Sequence, residues 1–294
     1  MNNKPVIQLL VTDLDNTLYD WVTYFAVSFT AMIQEAEAIL KVPRERLLEE
    51  FRRVHVSHHN SEQPFALLEI ATVVDRFGHL PRQERMHILD PAFHAFNRAR
   101  KASLRTYSKV QETLAEIKAT GCVIVGHSEA SIPNAMFRLT SLGLVQYLDK
   151  LYALEATGQG HPIPERADLL NAPPGFIEEV PRSRRKPNPS LLLEICGEYG
   201  IPPAQVAYVG DSLTRDISMA KEAGICAVWA KYGTEFEHGH WDTLVQVTHW
   251  TAEDVRRARE LEHRFSQVKP DILLNSFDQI LKEISFAPSF VSHL

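Results

Sequence analysis

The chain has 294 residues, 45% of them hydrophobic and 23% charged, and a formal net charge of −6 at pH 7. This is the composition of an ordinary globular protein of one large or two modest domains, and the negative balance gives no sign of general nucleic-acid binding. The three cysteines are odd in number and widely spaced, which excludes a disulfide framework. Without an apolar run that could span a membrane or a signal-peptide pattern, we expect a cytoplasmic protein.

The first predicted strand ends in two aspartates. An apolar run from Val6 to Val11 predicts a buried strand, and Asp13 and Asp15 follow it two residues apart. In extended chain such residues share a face, so the two carboxylates repel each other. A divalent cation would relieve the repulsion, and oxygen ligands suit Mg²⁺. An acidic turn after an edge strand is the alternative that these residues alone leave open.

Residues 21–100 carry helical patterns and no convincing strand. Apolar residues recur at helical spacing from Val22 to Leu40, and Pro43 marks the start of a second helix. Two further helical patterns follow. We therefore predict an all-helical module at residues 21–100, inserted into a core made of residues 1–20 and 101–294. His55, His58 and His59 would share one helical face, where solvated or substrate-rim histidines are favoured over a metal site.

After residue 101, short apolar strands alternate with amphipathic helices, the pattern of an α/β fold with a mostly parallel sheet. The predicted strands are Cys122–Gly126, Leu151–Leu154, Val206–Val209, Ile225–Ala230 and Asp271–Leu274. The proline- and glycine-rich segment 155–185 is predicted as a long loop. The segment 235–267 is polar and partly helical.

Several predicted strands end in polar residues that suit a phosphate group, as the carboxyl ends of strands do in open α/β sheets. The residues are Asp13 and Asp15, then Ser128, then Lys186 just before a helix, and finally Asp211 and Asp216. Singly, each has a simpler interpretation: a turn serine, a solvated lysine, acids at a helix start. Together and in this order they are far more specific.

These motifs resemble those of the haloacid dehalogenase-like superfamily of phosphatases. The resemblance rests on Asp13-Leu14-Asp15-Asn16-Thr17, on Ser128 after an apolar strand, on Lys186-Pro187-Asn188-Pro189, and on Gly210-Asp211 with Asp216. It implies a Rossmann-like core with a mostly parallel sheet and makes the helical module a cap inserted after the first motif. His127 stands where many members have an apolar residue, so a shift of the second motif by one residue stays open.

The resemblance also implies roles. Asp13 would be the nucleophile and Asp15 the general acid/base, while Thr17, Ser128 and Lys186 would hold or orient the phosphoryl group. Mg²⁺ would be bound by Asp13, the backbone carbonyl of Asp15 and Asp211, with Asp216 as a ligand or directly behind the ligands. Dehalogenases of this superfamily lack an acid at the Asp15 position, so its presence favours phosphoryl transfer.

We therefore expect a Mg²⁺-dependent phosphatase that hydrolyses a small phosphorylated metabolite, of the phosphoglycolate, sugar phosphate or nucleotide type, through an aspartyl phosphate. A phosphomutase on the same core is the alternative enzyme. The alternative from another class is a non-catalytic module that binds a phosphorylated ligand, against which the intact set of acids argues. No nucleic acid polymer or membrane is expected as a partner, and the oligomeric state is not readable.

Overall fold

The computed structural model describes residues 4–63, 65–155, 172–249, 252–265 and 267–289. Its strands are β1 (Val6–Ile7), β2 (Leu9–Thr12), β3 (Val123–Ser131), β4 (Lys150–Leu154), β5 (Ile177–Val180), β6 (Val206–Gly210), β7 (Cys226–Ala230), β8 (Ile272–Leu274) and β9 (Ser285–Phe286). Strands β2 to β8 form one parallel, seven-stranded sheet in the order β5-β4-β3-β2-β6-β7-β8. The predicted first strand is broken after Ile7, because β1 pairs separately with β9.

Helices cover both faces of this sheet, and helices also form the chain segment between β2 and β3. They are α1 (Trp21–Leu40), α2 (Arg44–His58), α3 (Ala71–Phe77), α4 (Arg82–Ile88), α5 (Asp90–Ser103), α6 (Val110–Ala119), α7 (Ile132–Ser141), α8 (Pro189–Glu198), α9 (Ser218–Glu222), α10 (His238–Val247), α11 (Ala252–Arg264) and α12 (Ile280–Glu283). The predicted fold class, a Rossmann-like α/β core with a helical cap, is confirmed. In the described parts of the chain, none of these helices has both the length and the apolar character needed to cross a bilayer.

The central strand β2 is buried on both faces, as a parallel sheet covered on both sides requires. Leu9 and Val11 belong to one apolar cluster with Ile195 of α8, whereas Leu10 belongs to the other with Leu114 of α6. The alternation follows from the two-residue period of a strand. The carboxyl end of β2 is thereby fixed in the middle of the sheet, where the acidic motif begins.

The helical cap starts abruptly after that motif. The Asp20 carboxylate accepts the backbone N–H of Thr23 at 2.9 Å and so caps α1. On the inner face of α1, Phe29 packs edge-on against Phe51 of α2 at 5.0 Å between ring centroids. Helices α1 to α5 fill residues 21–103, and the described residues there contain no strand. The division into two domains at residues 21–100 stays a prediction.

The segment 155–185 differs from its predicted structure. The prediction of a long loop at 155–185 is wrong for Ile177–Val180, which forms β5 at the edge of the sheet; residues 156–171 lie outside the described residues. The exposed Glu178 and Glu179 interrupt the apolar run by which a buried strand is recognised. The segment 235–267, predicted as partly helical, forms α10 and α11, and α10 packs against α1 and α2 of the cap.

Candidate active site

Asp13 lies at the carboxyl end of β2, inside the sheet. Its N–H donates to the Val209 carbonyl of β6 at 2.8 Å, which prolongs the ladder beyond the strand. The Thr17 hydroxyl donates to Asp13 Oδ2 at 3.2 Å. Between them Asn16 has a φ of 57°, and its side-chain oxygen accepts the N–H of Trp21 at 3.1 Å. The turn therefore folds the Asp13–Thr17 loop back onto the start of α1.

Lys186 is the cation of this site. It is buried, and its ammonium donates to Asp13 Oδ1 and, at 2.9 Å, to Asp216 Oδ1. The Tyr208 hydroxyl donates to the same Asp216 oxygen at 3.2 Å. Burial acts to lower the pKa of Lys186, but the two carboxylates outweigh it and hold that pKa well above its usual range. Lys186 is therefore a fixed positive charge beside Asp13.

Asp211 completes an acidic cluster at the end of β6. Asp13, Asp211 and Asp216 can each place a ligand oxygen within 4.8 Å of the others, and within the described ranges they are the one group of three or more His, Cys, Asp or Glu side chains so arranged. Burial, then Asp216 and Asp13, raise the pKa of Asp211 well above its usual range. The donors are all carboxylate oxygens, and their negative charges outnumber the single lysine beside them, so the cluster fits Mg²⁺.

Glycine at position 210 lets the acidic cluster close. A Cβ there would lie 2.5 Å from Asp216 Cγ, so a larger residue would push Asp216 away. The N–H of Ser212 donates to Asp216 Oδ2 at 3.0 Å and fixes that carboxylate from the other side.

Burial raises the pKa of Asp13 to about 7, against the opposing charge of Lys186.

Asp15 belongs to a separate cluster. Its Oδ2 accepts from Arg138 Nη2 at 3.3 Å, and Arg138 is completely buried on α7. The same guanidinium donates to Glu62, in the cap, and at 3.1 Å to the Tyr19 hydroxyl. Burial raises the pKa of Asp15, while Arg138 acts to lower it. Asp15 Oδ1 is buried without a hydrogen-bond partner.

The second motif is carried by β3, which runs five residues beyond its predicted end at Gly126 to Ser131. The Ser128 hydroxyl accepts the N–H of Ala130 at 3.0 Å, and the pairing with β4 shifts register between Ser128 and Ser131. His127 lies 3.4 Å from the Tyr208 hydroxyl, and burial, then the Lys186 charge, lower its pKa well below the usual range. His127 is therefore a neutral group beside the Lys186 cluster.

These groups meet at a cavity of about 790 Å³. Of the predicted site residues, Asp13, Asp15, Lys186, Asp211 and Asp216 line it. Thr17 and Ser128 are buried and do not line it, whereas Ser131, whose hydroxyl is buried without a partner, does. The structure thus brings five of the predicted residues to one space and places two hydroxyls outside its lining.

Sequence reasoning missed Arg138 and Glu62. Both fall in stretches with no motif, and only the burial of a charged residue on a predicted helix would have drawn attention to Arg138. The three cap histidines do not converge: His55 donates to the Val247 carbonyl, His58 contacts Glu69, and His59 lines the cavity. These three histidines therefore form no cluster that could hold a metal ion.

Comparison with known proteins agrees with the motifs. The sequence profile of the haloacid dehalogenase-like hydrolases matches residues 7–224, and that of the HAD-hydrolase-like proteins matches residues 183–280. The chain belongs to the haloacid dehalogenase-like hydrolase family. The resemblance found in the sequence is thus confirmed over most of the chain.

Two curated members of the family match this chain over only about half of its length and at low sequence identity. N-acetylmuramic acid 6-phosphate phosphatase of Pseudomonas aeruginosa is 30% identical over 134 residues, which are 44% of this chain and 56% of that protein. Phosphoglycolate phosphatase of Haemophilus influenzae is 29% identical over 132 residues, 45% of this chain and 47% of that protein. The chain spans about half the length of these curated relatives.

Among solved structures, 2-haloacid dehalogenase of Pseudomonas syringae is similar with a TM-score of 0.54 and 20% identity, over 94% of this chain and 97% of that one. At this identity the similarity concerns the fold. The family's architecture is therefore shared along nearly the whole chain, while the reaction depends on the residues of the site.

Proposed function

We propose that this member of the family is a Mg²⁺-dependent phosphatase that hydrolyses a small phosphorylated metabolite through an aspartyl phosphate on Asp13. The observation that carries the proposal is the arrangement around Asp13: a lysine ammonium and a threonine hydroxyl on its oxygens, with Asp211 and Asp216 beside it. Phosphoryl transfer needs positioning and charge neutralisation of this kind more than elaborate covalent machinery. A cytoplasmic location stays a prediction from the sequence.

Asp13 acts as the nucleophile. Its carboxylate attacks the phosphorus atom, the bond to the leaving oxygen breaks, and an acyl phosphate forms on Asp13. Lys186, held between Asp13 and Asp216, neutralises phosphoryl oxygens and keeps the nucleophile in place. Mg²⁺, held by Asp13, Asp211, Asp216 and the Asp15 carbonyl, would supply further positive charge to the phosphoryl group when bound.

Asp15 moves the protons. Its carboxyl group, with a pKa raised by burial, donates a proton to the leaving alcohol and afterwards takes one from the water that hydrolyses the acyl phosphate. Arg138 holds Oδ2 and so orients this carboxyl group at the cavity that Asp13 also lines. Asp13 and Asp15 therefore have different tasks although they are only two residues apart.

Trapping of the acyl phosphate tests this division. We expect Asp13→Asn to abolish turnover and phosphorylation, whereas Asp15→Asn should be phosphorylated by an aryl phosphate, whose leaving group needs little protonation, and then stall. Rapid-quench labelling with intact-mass measurement detects the added phosphoryl group. Asp75→Asn, at an exposed position of α3, is the matched control and should behave as wild type.

Three results would contradict the proposal. Label on another residue, or an Asp13→Asn variant labelled as well as wild type, would refute the nucleophile. Transfer of the group to a second hydroxyl of the substrate, without release of inorganic phosphate, would identify a phosphomutase. Uniform inactivity with Mg²⁺ across sugar phosphates, nucleotides, phosphoglycolate and acyl phosphates would favour the non-catalytic module.

A further inference from the structure

The segment after β7 forms a second wall of the active-site cavity. From this segment the cavity is lined by Phe236, Trp241, Leu244, Thr248 and His249, and from the cap by Trp21 and residues 59–62. The segment's described residues contribute no strand to the sheet and include α10 and α11, which lie between β7 and β8 in the chain. It therefore adds to the substrate space without belonging to the catalytic motifs.

Hydrogen bonds fasten this wall to the cap. Ser61 Oγ lies 2.8 Å from His249 Nδ1 and accepts the N–H of His249 at 3.0 Å. His55, buried in α2, donates to the Val247 carbonyl at 2.7 Å. Thr23 of α1 shares a hydrogen bond of 3.2 Å with His240 of α10. The cap and the second wall thus form one continuous surface around the outer part of the cavity.

The wall offers a flat aromatic face. The rings of Phe236 and Trp241 stack with 5.1 Å between their centroids and 10° between their planes, and both side chains are only half-buried. Asn60, Ser61 and Thr248 place hydrogen-bonding groups around the same space. An aromatic face beside hydroxyl and amide groups suits a ring that has one apolar face and carries hydroxyl groups at its edge.

Charge separates the two ends of the cavity. The cations that line it, Lys186, Arg182, Arg185 and Arg215, come from the sheet side, where the phosphoryl group would bind. Among the described residues that line it from the cap and from the segment after β7, none is lysine or arginine, and Glu62 and Glu253 are acidic. Glu62 and Glu253 pair with Arg138 and Arg256, but neither arginine lines the cavity. A leaving group with its own carboxylate or phosphate would therefore find no lysine or arginine among the described lining residues at that end to neutralise it.

Size points the same way. The cavity of about 790 Å³ falls within the range of roughly 300–1,000 Å³ typical of pockets that enclose drug-sized ligands. A two-carbon leaving group such as glycolate would leave most of the aromatic wall in contact with water. A ring on the leaving group would fill more of the cavity and cover more of that wall.

We propose that the segment Phe236–His249 determines specificity and, with the cap, selects phosphate monoesters whose leaving group is an uncharged, hydroxyl-bearing ring. The proposal rests on the proposed phosphatase function and deepens it. Trp241 is the specificity residue, because its face contacts the ring and not the reacting phosphoryl group. A sugar and a nucleoside share this ring chemistry, so the experiment includes both.

The first test measures kcat/KM with Mg²⁺ for glucose 6-phosphate, uridine 5′-monophosphate, phosphoglycolate and acetyl phosphate. We expect at least one ring ester to exceed phosphoglycolate by tenfold or more, and the better of the two identifies sugar or nucleoside. If phosphoglycolate is preferred, this inference is overturned while the phosphatase function stands. If even acetyl phosphate is not hydrolysed, the phosphatase function itself fails.

The second test changes the wall. Trp241→Ala should lower the ratio of kcat/KM for the ring ester to that for acetyl phosphate at least tenfold, equivalent to about 1.4 kcal/mol, and Trp241→Phe should restore most of it. Val245→Ala, on the exposed side of the same helix α10, is the control and should leave the ratio as in wild type. An equal loss for both substrates would show a structural role and overturn the assignment.

A charge change gives an independent outcome. Glu253 is exposed and lines the outer cavity, so Glu253→Arg should lower the KM for phosphoglycolate by adding a cation to the outer lining, whose described residues include no lysine or arginine. Glu260→Arg, an exposed position of α11 that does not line the cavity, serves as its control. An unchanged KM for phosphoglycolate would contradict the role given to charge.

Discussion

Replacement of Arg138 by methionine should destabilise the protein strongly, because its guanidinium is the only described cation that contacts both Asp15 and Glu62. Arg138 is completely buried, and its side chain also donates to the Tyr19 hydroxyl at 3.1 Å. Methionine fills a similar volume but leaves two carboxylates without their counter-ion. The cluster links the catalytic loop, α7 and the cap, so its loss affects all of them.

The size of the effect follows from burial. Removing one partner of a buried ion pair costs about 3–5 kcal/mol, because the remaining charge stays desolvated. The Asp15 and Glu62 side chains keep 25% and 16% exposure, so water recovers part of this cost. We therefore expect a loss near the lower limit, about 3 kcal/mol, out of a typical total free energy of unfolding of roughly 5–15 kcal/mol.

Urea denaturation, followed by both circular dichroism and tryptophan fluorescence, measures this loss and checks two-state behaviour. A double-mutant cycle with Glu62→Gln should give a coupling energy of about 0.5–3 kcal/mol, since the double variant no longer leaves Glu62 charged and unpaired. The matched control is Arg53→Met with Glu49→Gln on α2, an ion pair whose side chains are both 65% exposed. That pair should contribute about 0–1 kcal/mol.

If Arg138→Met cost no more than the Arg53 control, or if the cycle with Glu62 showed no coupling, the inference that this buried cluster joins cap and core would be refuted. A change in the denaturant slope without a change in midpoint would instead indicate an altered unfolded state.

Lys186→Ala should raise KM and lower kcat, because Asp13 loses its neighbouring cation, and kcat/KM should fall by about 10²–10³-fold. The control Arg184→Ala, which removes a partly exposed ion pair with Glu194, should stay near wild type in the same steady-state assay. Gly233→Ala should reduce kcat at least tenfold with unchanged far-UV circular dichroism. A Cβ at this position would lie 1.8 Å from the Asn16 carbonyl oxygen and so displace the catalytic loop. A displacement of about 1 Å can lower a rate 10²-fold. Mg²⁺ should raise the melting temperature more at pH 8 than at pH 6: burial raises the pKa of Asp13 to about 7, and only the deprotonated carboxylate binds the ion. Equal shifts at the two pH values in a thermal-shift assay would show that Asp13 does not limit binding.

The sequence by itself determined the fold class and most of the acidic site. The site residues follow a strand or precede a helix: Asp13 and Asp15 come after β2, Asp211 comes after β6, and Lys186 precedes α8. The spacing of apolar residues that predicts each of these elements is a local feature of the sequence. In a parallel sheet the carboxyl ends of strands meet at one edge, so residues far apart in the chain can be placed together without coordinates. The sequence did not predict strand β5, because its two exposed glutamates interrupt the apolar pattern by which a strand is recognised.

Only the tertiary structure decided how the site is enclosed. Arg138 meets Glu62 across 76 positions, and Ser61 meets His249 across 188, with no motif at any of the four residues. The distribution of charge between the sheet side and the outer wall likewise depends on which helices fold over the cavity. Such contacts arise from packing between distant segments, and neither a helical nor a strand period records the partner that a side chain will face.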